Sequence, residues 1–364
     1  MPRLGILYFL LGTLLSAASS PAYAWTTAYF GGWWSGPEVI EPEDVDLSAV
    51  THLIYFAAWL NADGTLNLEM NGIESPRARR MLSLAHASQV KVILGTGGVP
   101  DSFLPNCSAL VPGLVRNLID VLDRDHYDGV DLDWEPLDPA HLPCYEILVR
   151  ALRTALGPDR LLTAAVIDQP EFFARTAPLF DQINLMTYDL TTPFPGDLVW
   201  HNTALYNGGH DVDSVELEIQ KFRQAGVPAA KIGLGIDFYG YDWPGVYKPL
   251  EKYRKPPVIK PLSYAEIMTS LFQPQALQRD EEGLVPYLSF KREPLKDSEF
   301  VTFDDPLSCQ IKAEYAKSHA LGGVMIWELG GGFLPHAPVR DPLLQAVKGI
   351  MTRRLKLTED SRVR

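Results

Sequence analysis

The sequence predicts an α/β fold: a closed (β/α)8 TIM barrel with an insertion between strand seven and strand eight. Three observations carry this. Short β-rich runs recur eight times, most of them followed by a longer stretch with apolar residues at three- and four-residue spacing. Most of the runs are nearly continuous apolar segments, as parallel strands covered on both faces should be. No GxGxxG follows the first run, which weakens an open dinucleotide-binding sheet as the alternative. Eight β/α units in one chain favour the closed barrel.

The runs stand at 26–32, 51–58, 90–98, 127–135, 160–168, 182–190, 231–240 and 322–330. Helical patterns lie between several of them, as in SPRARRMLSLAHAS, LVPGLVRNLIDVLDRD, HLPCYEILVRALRTAL and DSVELEIQKFRQA. The gap from 240 to 322 is much longer than the others. It opens with the Pro- and Tyr-rich YDWPGVYKPLEKYRKPPVIKP and is read as an insertion on the barrel at about 241–303. At the start, Arg3, the apolar run Leu4–Leu15 and the small-x-small Ala22-Tyr23-Ala24 read as a signal peptide cleaved after Ala24. The run is shorter than the roughly 20 residues that span a bilayer. The barrel domain is expected over 25–350, and 351–364 reads as a polar tail. The expected location is secreted or periplasmic.

With 46% hydrophobic and 21% charged residues the composition is globular, and the 364 residues suit one barrel with insertions. A formal charge of −13 disfavours nucleic acid or an anionic membrane as partner and suits a neutral or weakly cationic ligand. A monomer is expected. The eight histidines are scattered, no Cys/His spacing resembles a zinc site, and neither metal nor cofactor is expected. Three cysteines, Cys107, Cys144 and Cys309, leave one unpaired if any disulfide forms.

The chemistry concentrates in YDGVDLDWEP, 127–136. On a strand, Asp131, Asp133 and Glu135 share one face, about 6.6 Å apart at about 3.3 Å per residue, while Val130, Leu132 and Trp134 face the other way. In a barrel this sets the apolar residues against the helices and the acids inside, with Glu135 at the C-terminal end where barrel active sites lie. Crowding and desolvation raise carboxyl pKa values, so one of the three should keep a proton near neutral pH and could pass it to a leaving group. The plainer alternatives are a half-exposed strand with its acids in water, or a Ca²⁺ or Mg²⁺ site built on oxygen ligands.

DGVDLDWE resembles the DGxDxDxE signature of glycoside hydrolase family 18, the chitinase family. The resemblance continues in order along nearly the whole chain: GTGG at 95–98 for a strand-three SxGG turn, LMTYD at 185–189 for M-x-Y-D, DFYGYDW for a Tyr-Gly motif on strand seven, then SYAEI and FDDPLSCQIKAEYAKSHALGGVMIWEL. It implies a glycosidase acting on N-acetylglucosamine-containing polysaccharide or oligosaccharide by substrate-assisted, retaining catalysis. Glu135 would be the acid, then the base. Asp133 would orient the substrate's acetamido group, Asp131 would support Asp133, and Tyr188 would bind the acetamido carbonyl. Trp327 would floor the sugar site, with Asp189, Met186, Trp33 and Trp243 on the substrate side and Tyr29 backing the inner acids. Trp34, Trp59 and Trp200 are further aromatic candidates at strand ends. A disulfide between Cys107 and Cys144 is expected from their loops after strands three and four.

Three positions depart from the family pattern. Gly95 stands for the usual Ser, so that a hydrogen bond to the inner acids is lost or comes from Thr96 or water. Tyr241 stands where many members have Arg. Gly follows WEL where several members have Asp. The insertion reads as shorter than a full α+β module, which implies a shallower, endo-acting cleft. Chitin is the leading substrate. An endo-β-N-acetylglucosaminidase of N-glycan cores, an enzyme of peptidoglycan glycan and a non-catalytic chitin-binding protein remain as rivals, together with an unrelated barrel glycosidase using a carboxylate pair.

Overall fold

The structure, a computed structural model, describes residues 24–33, 36, 38–191, 198–252 and 259–352. The signal peptide, Trp34 and nearly all of the polar tail lie outside the described residues. The barrel strands are β1 (Trp25–Gly31), β2 (His52–Leu60), β3 (Lys91–Gly97), β4 (Gly129–Asp133), β5 (Leu161–Val166), β6 (Gln182–Leu185), β7 (Ile232–Asp237) and β8 (Gly323–Trp327). They pair in parallel in sequence order, and β8 returns to β1 to close the barrel. A two-residue strand, Leu66–Asn67, folds back antiparallel onto the end of β2.

Helices follow where the three- and four-residue apolar spacing predicts them: Pro76–Ala87, Cys107–Asp125, Leu142–Leu156 and Val215–Ala225. The first starts at Ser75, whose hydroxyl accepts the Ala78 N–H. Helix Pro306–Ser318 starts on a capping box between Asp305 and Ser308. The main core fills the layer between strands and helices, and includes Val130 and Leu132 of β4 with Trp134 just after it. Trp134 packs edge-on against Tyr145 of helix Leu142–Leu156, with ring centroids 5.4 Å apart. A second cluster, with Tyr29, Ile54, Phe56 and Met325, fills the barrel interior.

Between β7 and β8 the chain builds more than the sequence suggested. Five antiparallel strands, Tyr239–Pro244, Lys260–Ser263, Leu277–Asp280, Val285–Phe290 and Glu299–Phe303, form a separate sheet. The first begins two residues after β7 ends, so the sheet stands directly on the catalytic end of the barrel. Strands of four to six residues with Pro-rich links leave little periodicity to read. Trp243, Val246 and Phe300 of the insertion form a small core with Val199 from the loop after β6.

Candidate active site

β4 sets the inner acids. Its alternation turns Asp131 and Asp133 into the barrel. The Asp131 carboxylate accepts the Tyr29 hydroxyl at 2.8 Å from β1 and the Thr163 hydroxyl at 2.5 Å from β5. Thr96 donates to the Asp131 carbonyl oxygen rather than to its carboxylate. Burial pushes the Asp131 carboxyl up to about 6, against the downward pull of these two hydroxyl donors.

Asp133 stands one step nearer the mouth. Its Oδ1 is buried and has no partner among the described residues. Desolvation, then the charges of Glu135 and Asp131, raise its pKa well above the carboxylate range. Asp133 is thus biased toward its protonated form, and it lines the cleft with one oxygen unpartnered. Glu135 lies two residues past β4, and part of its side chain meets solvent. Partial burial, then the charge of Asp189, raise its carboxyl. An acid at the cleft mouth whose carboxyl is raised in this way can donate a proton to a leaving group and receive one back.

The loop after β6 supplies the next wall. Tyr188 is buried, and its hydroxyl lies 3.8 Å from the Met325 sulfur. Asp189 follows with φ 58°, a left-handed conformation uncommon outside glycine. One oxygen of its carboxylate accepts both the Tyr239 hydroxyl at 2.6 Å and the Tyr241 hydroxyl at 2.8 Å. Both tyrosines sit on the first strand of the insertion. Tyr241, at the position where an arginine is usual, thus reaches Asp189 as a neutral donor.

Trp327 ends β8. Its ring lies 5.1 Å from Tyr29, 5.2 Å from Phe56 and 6.5 Å from Trp33. Asp133, Glu135, Met186, Tyr188, Asp189, Tyr239 and Trp327 line one cleft of about 520 Å³, with the exposed Ile167 on its wall. A flat aromatic face at the bottom and convergent polar groups on one side suit a pyranose ring. A smaller recess of about 310 Å³ adjoins it beyond Trp327, bounded by Glu38, Tyr241, Ser263 and Glu328. Glu328 is fully buried. Burial, then the charge of Glu38, lift its carboxyl to about 8 although the Gly330 and Gly331 N–H groups donate to it.

The sequence reading needs two corrections. Trp243 does not face a ligand: it has no exposed surface and packs in the insertion core, because its strand turns that face inward. Trp200 is likewise buried, and its indole N–H donates to the Asp213 carbonyl. Tyr29 backs the inner acids as expected: it donates to Asp131 from beneath Trp327 and, 1% exposed, positions an acid without meeting a ligand. Thr163, Phe56, Tyr239 and Asn202 were not singled out. A barrel register placing Thr163 opposite Asp131 would have found the first; nothing local marks Asn202.

The departures acquire physical reasons. A β-carbon on Gly95 would stand 2.9 Å from Ile54 Cγ2 and 3.0 Å from Phe56 Cδ2, so the barrel interior is closed to a serine there. The glycines after β8 are equally constrained. A β-carbon would stand 1.8 Å from the Glu38 carbonyl oxygen at Gly330, 2.7 Å from the Phe238 carbonyl oxygen at Gly331, and 2.7 Å from the Phe238 ring at Gly332. Cys107 and Cys144 are bridged, tying together the starts of two neighbouring helices, and Cys309 is a buried free thiol.

The sequence profile of Glycosyl hydrolases family 18 matches residues 26–332. A probable endochitinase of Caenorhabditis elegans is 28% identical over 353 residues, which is 83% of this chain and 55% of the nematode protein. The chain thus spans about half of that relative. Mouse chitotriosidase-1 is 27% identical over 358 residues, 84% of this chain and 73% of its own. Among solved structures, the Ostrinia furnacalis Group IV chitinase in complex with allosamidin superposes with a TM-score of 0.78 at 22% identity, covering 90% of this chain and 98% of the other. That likeness bears on the fold, a (β/α)8 barrel.

Proposed function

The chain belongs to glycosyl hydrolase family 18, and on that premise we propose that it hydrolyses β-1,4 linkages between N-acetylglucosamine units of chitin or chito-oligosaccharides. The observation that carries this reading is the acidic column Asp131–Asp133–Glu135 facing Tyr188 across one cleft over Trp327. Glu135 protonates the glycosidic oxygen as the bond to the anomeric carbon breaks. The carbonyl oxygen of the substrate's own acetamido group attacks that carbon and closes an oxazolinium ring. The Asp133 carboxylate accepts the acetamido N–H and stabilises the positive charge of the ring, while Tyr188 donates to the acetamido oxygen. Water then adds to the anomeric carbon, Glu135 takes its proton, and the anomeric configuration is retained. No protein nucleophile is required, so the two-carboxylate distance rule does not apply. Asp131, held by Tyr29 and Thr163, keeps Asp133 in place without touching substrate. The names of two relatives add support: the nematode protein is a probable endochitinase and the mouse protein chitotriosidase-1. We also propose export with the leader removed after Ala24; the disulfide suits an oxidising compartment.

The test follows chitotetraose and chitopentaose by mass spectrometry with wild type and Glu135→Gln. Release of chitobiose by wild type, with turnover nearly abolished in the variant, supports the reading. A wild type that binds without cutting would move it to a chitin-binding protein, and cleavage of a high-mannose glycoprotein instead would move it to N-glycan cores. A variant as active as wild type would refute the role of Glu135.

A further inference from the structure

Behind Asp189 lies a polar cluster that the reaction does not use directly. Asn202 is fully buried and all four of its polar groups are engaged. Its Oδ1 accepts the Asp189 N–H at 2.9 Å, and its carbonyl oxygen accepts the Leu190 N–H at 3.0 Å. Its Nδ2 donates to Asp237 at the end of β7 at 2.5 Å. Its N–H donates to the Thr302 hydroxyl, on the last insertion strand, at 3.0 Å. The side chain therefore joins the loop after β6 to the barrel wall, and the backbone N–H of the same residue reaches the insertion.

The anchor itself is charged. Asp237, Asp304 and Lys312 are each no more than 1% exposed. Lys312 pairs with Asp304 at 2.5 Å and donates to Thr203 at 2.7 Å. Thr203 in turn donates to the Thr187 carbonyl, two residues before Asp189. Neither Asp237 Oδ1 nor Asp304 Oδ1 finds a donor among the other described residues, and the two carboxyls face each other. Burial, then the charge of Asp304, push the Asp237 carboxyl well above the usual carboxylate range, while Lys312 offsets negative charge through its pair with Asp304. Three ionisable groups in a dry interior are costly unless closed in this way, and removing one leaves the others unpaired.

We propose that Asn202 is a positioning residue for Asp189, holding it in its left-handed conformation at the cleft wall, and that the buried Asp237–Asp304–Lys312 cluster fixes Asn202 and so ties the insertion to the active site. The inference rests on the reading that Asp189 belongs to a glycosidase site. Asp189 cannot keep φ 58° unaided at no cost. The two hydroxyls that hold its carboxylate, from Tyr239 and Tyr241, come from the same insertion sheet that Asn202 grips through Thr302. The carboxylate of Asp189 is thus held by the insertion directly, and its backbone by Asn202, whose own N–H rests on the insertion.

The test is a double-mutant cycle on chitotetraose with Asn202→Ala, Asn202→Ser, Asp189→Ala and the combined variants. Each Asn202 change is expected to lower kcat and kcat/KM together by about 10- to 100-fold, since a displacement near 1 Å can cost about 100-fold. In the Asp189→Ala background the same change should cost less than about twofold. A variant with wild-type kcat overturns the inference, and so does a loss that persists in full without Asp189. If Asn202→Ala does not fold, Asn202→Ser alone carries the cycle. Should wild type not cleave the tetramer, the function reading fails separately. The inference is then decided by the crystal structure of the Asn202→Ser variant: Asp189 leaving its left-handed conformation sustains it, and Asp189 unmoved overturns it.

Discussion

The charge of Asp189 acts on Glu135: after partial burial, it is what raises the Glu135 carboxyl above its ordinary range. Glu135 must hold a proton to act as an acid. Making Asp189 neutral removes one upward push, so Glu135 loses its proton at lower pH. Asp189→Asn is therefore expected to move the alkaline limb of the kcat/KM profile toward lower pH. The measurement is a rate profile on chitotetraose from pH 4 to 10. An alkaline limb that stays in place, or moves upward, removes Asp189 as the source of the effect.

Buried acids set how stability depends on pH. Asp131 at about 6 and Glu328 at about 8 both lie above their ordinary values of 3.8 and 4.5. The unfolded chain releases these protons first, so stability falls as pH rises from about 4 toward 8. The melting temperature should be highest on the acid side and decline by at least a few degrees between pH 5 and 8. Glu328→Gln should flatten that decline, mostly between pH 5 and 8. Calorimetry at several pH values decides it; a midpoint that climbs steadily to pH 8 would contradict the account.

Restoring the serine of the family pattern should harm this protein. Gly95→Ser places atoms against Ile54 and Phe56 inside a filled barrel. Overpacking of this kind costs roughly 1–3 kcal/mol. Urea unfolding should show a lower midpoint with no gain in kcat. A variant as stable as wild type would mean that the interior around Phe56 gives way more easily than the contacts suggest.

The Cys107–Cys144 bridge closes a loop with a sequence separation of 37. Loss of such a crosslink costs about 2–4 kcal/mol, mostly through the freedom it returns to the unfolded chain. The double Ser variant should melt earlier while keeping kcat at 25 °C, because neither sulfur lines the cleft. A mass unchanged by reductant and alkylation would show that the bridge does not form. Loss of kcat in a folded variant would tie the two helix starts to the chemistry.

Much of the barrel and the acidic column could be read from residue order. Alternation over β4 placed Asp131 and Asp133 inside and Trp134 outside because a strand has a fixed two-residue period. Residues whose role depends on a distant partner could not be read this way. Trp243 looked like Trp327, an indole just past a strand end, yet one packs in the insertion core and the other floors the cleft. The difference lies in where the strands go: Trp327 ends a barrel strand at the cleft, whereas the strand of Trp243 turns it into the core under the five-stranded sheet, a property of the assembled sheet. Asn202 meets Asp237 and Thr302 across 35 and 100 positions, a separation no local pattern encodes.

The three glycines at 330–332 also bear on how this protein could be altered. With Glu38 and Phe238 pressed against their α-carbons, they form a stretch where variation is closed off. A library aimed at new specificities would waste its diversity there. Ile167, 58% exposed, lines the cleft and belongs to no core cluster, so its size and polarity are free to change. Adaptation of this cleft to other glycans should therefore run through positions such as Ile167 and leave the glycines fixed.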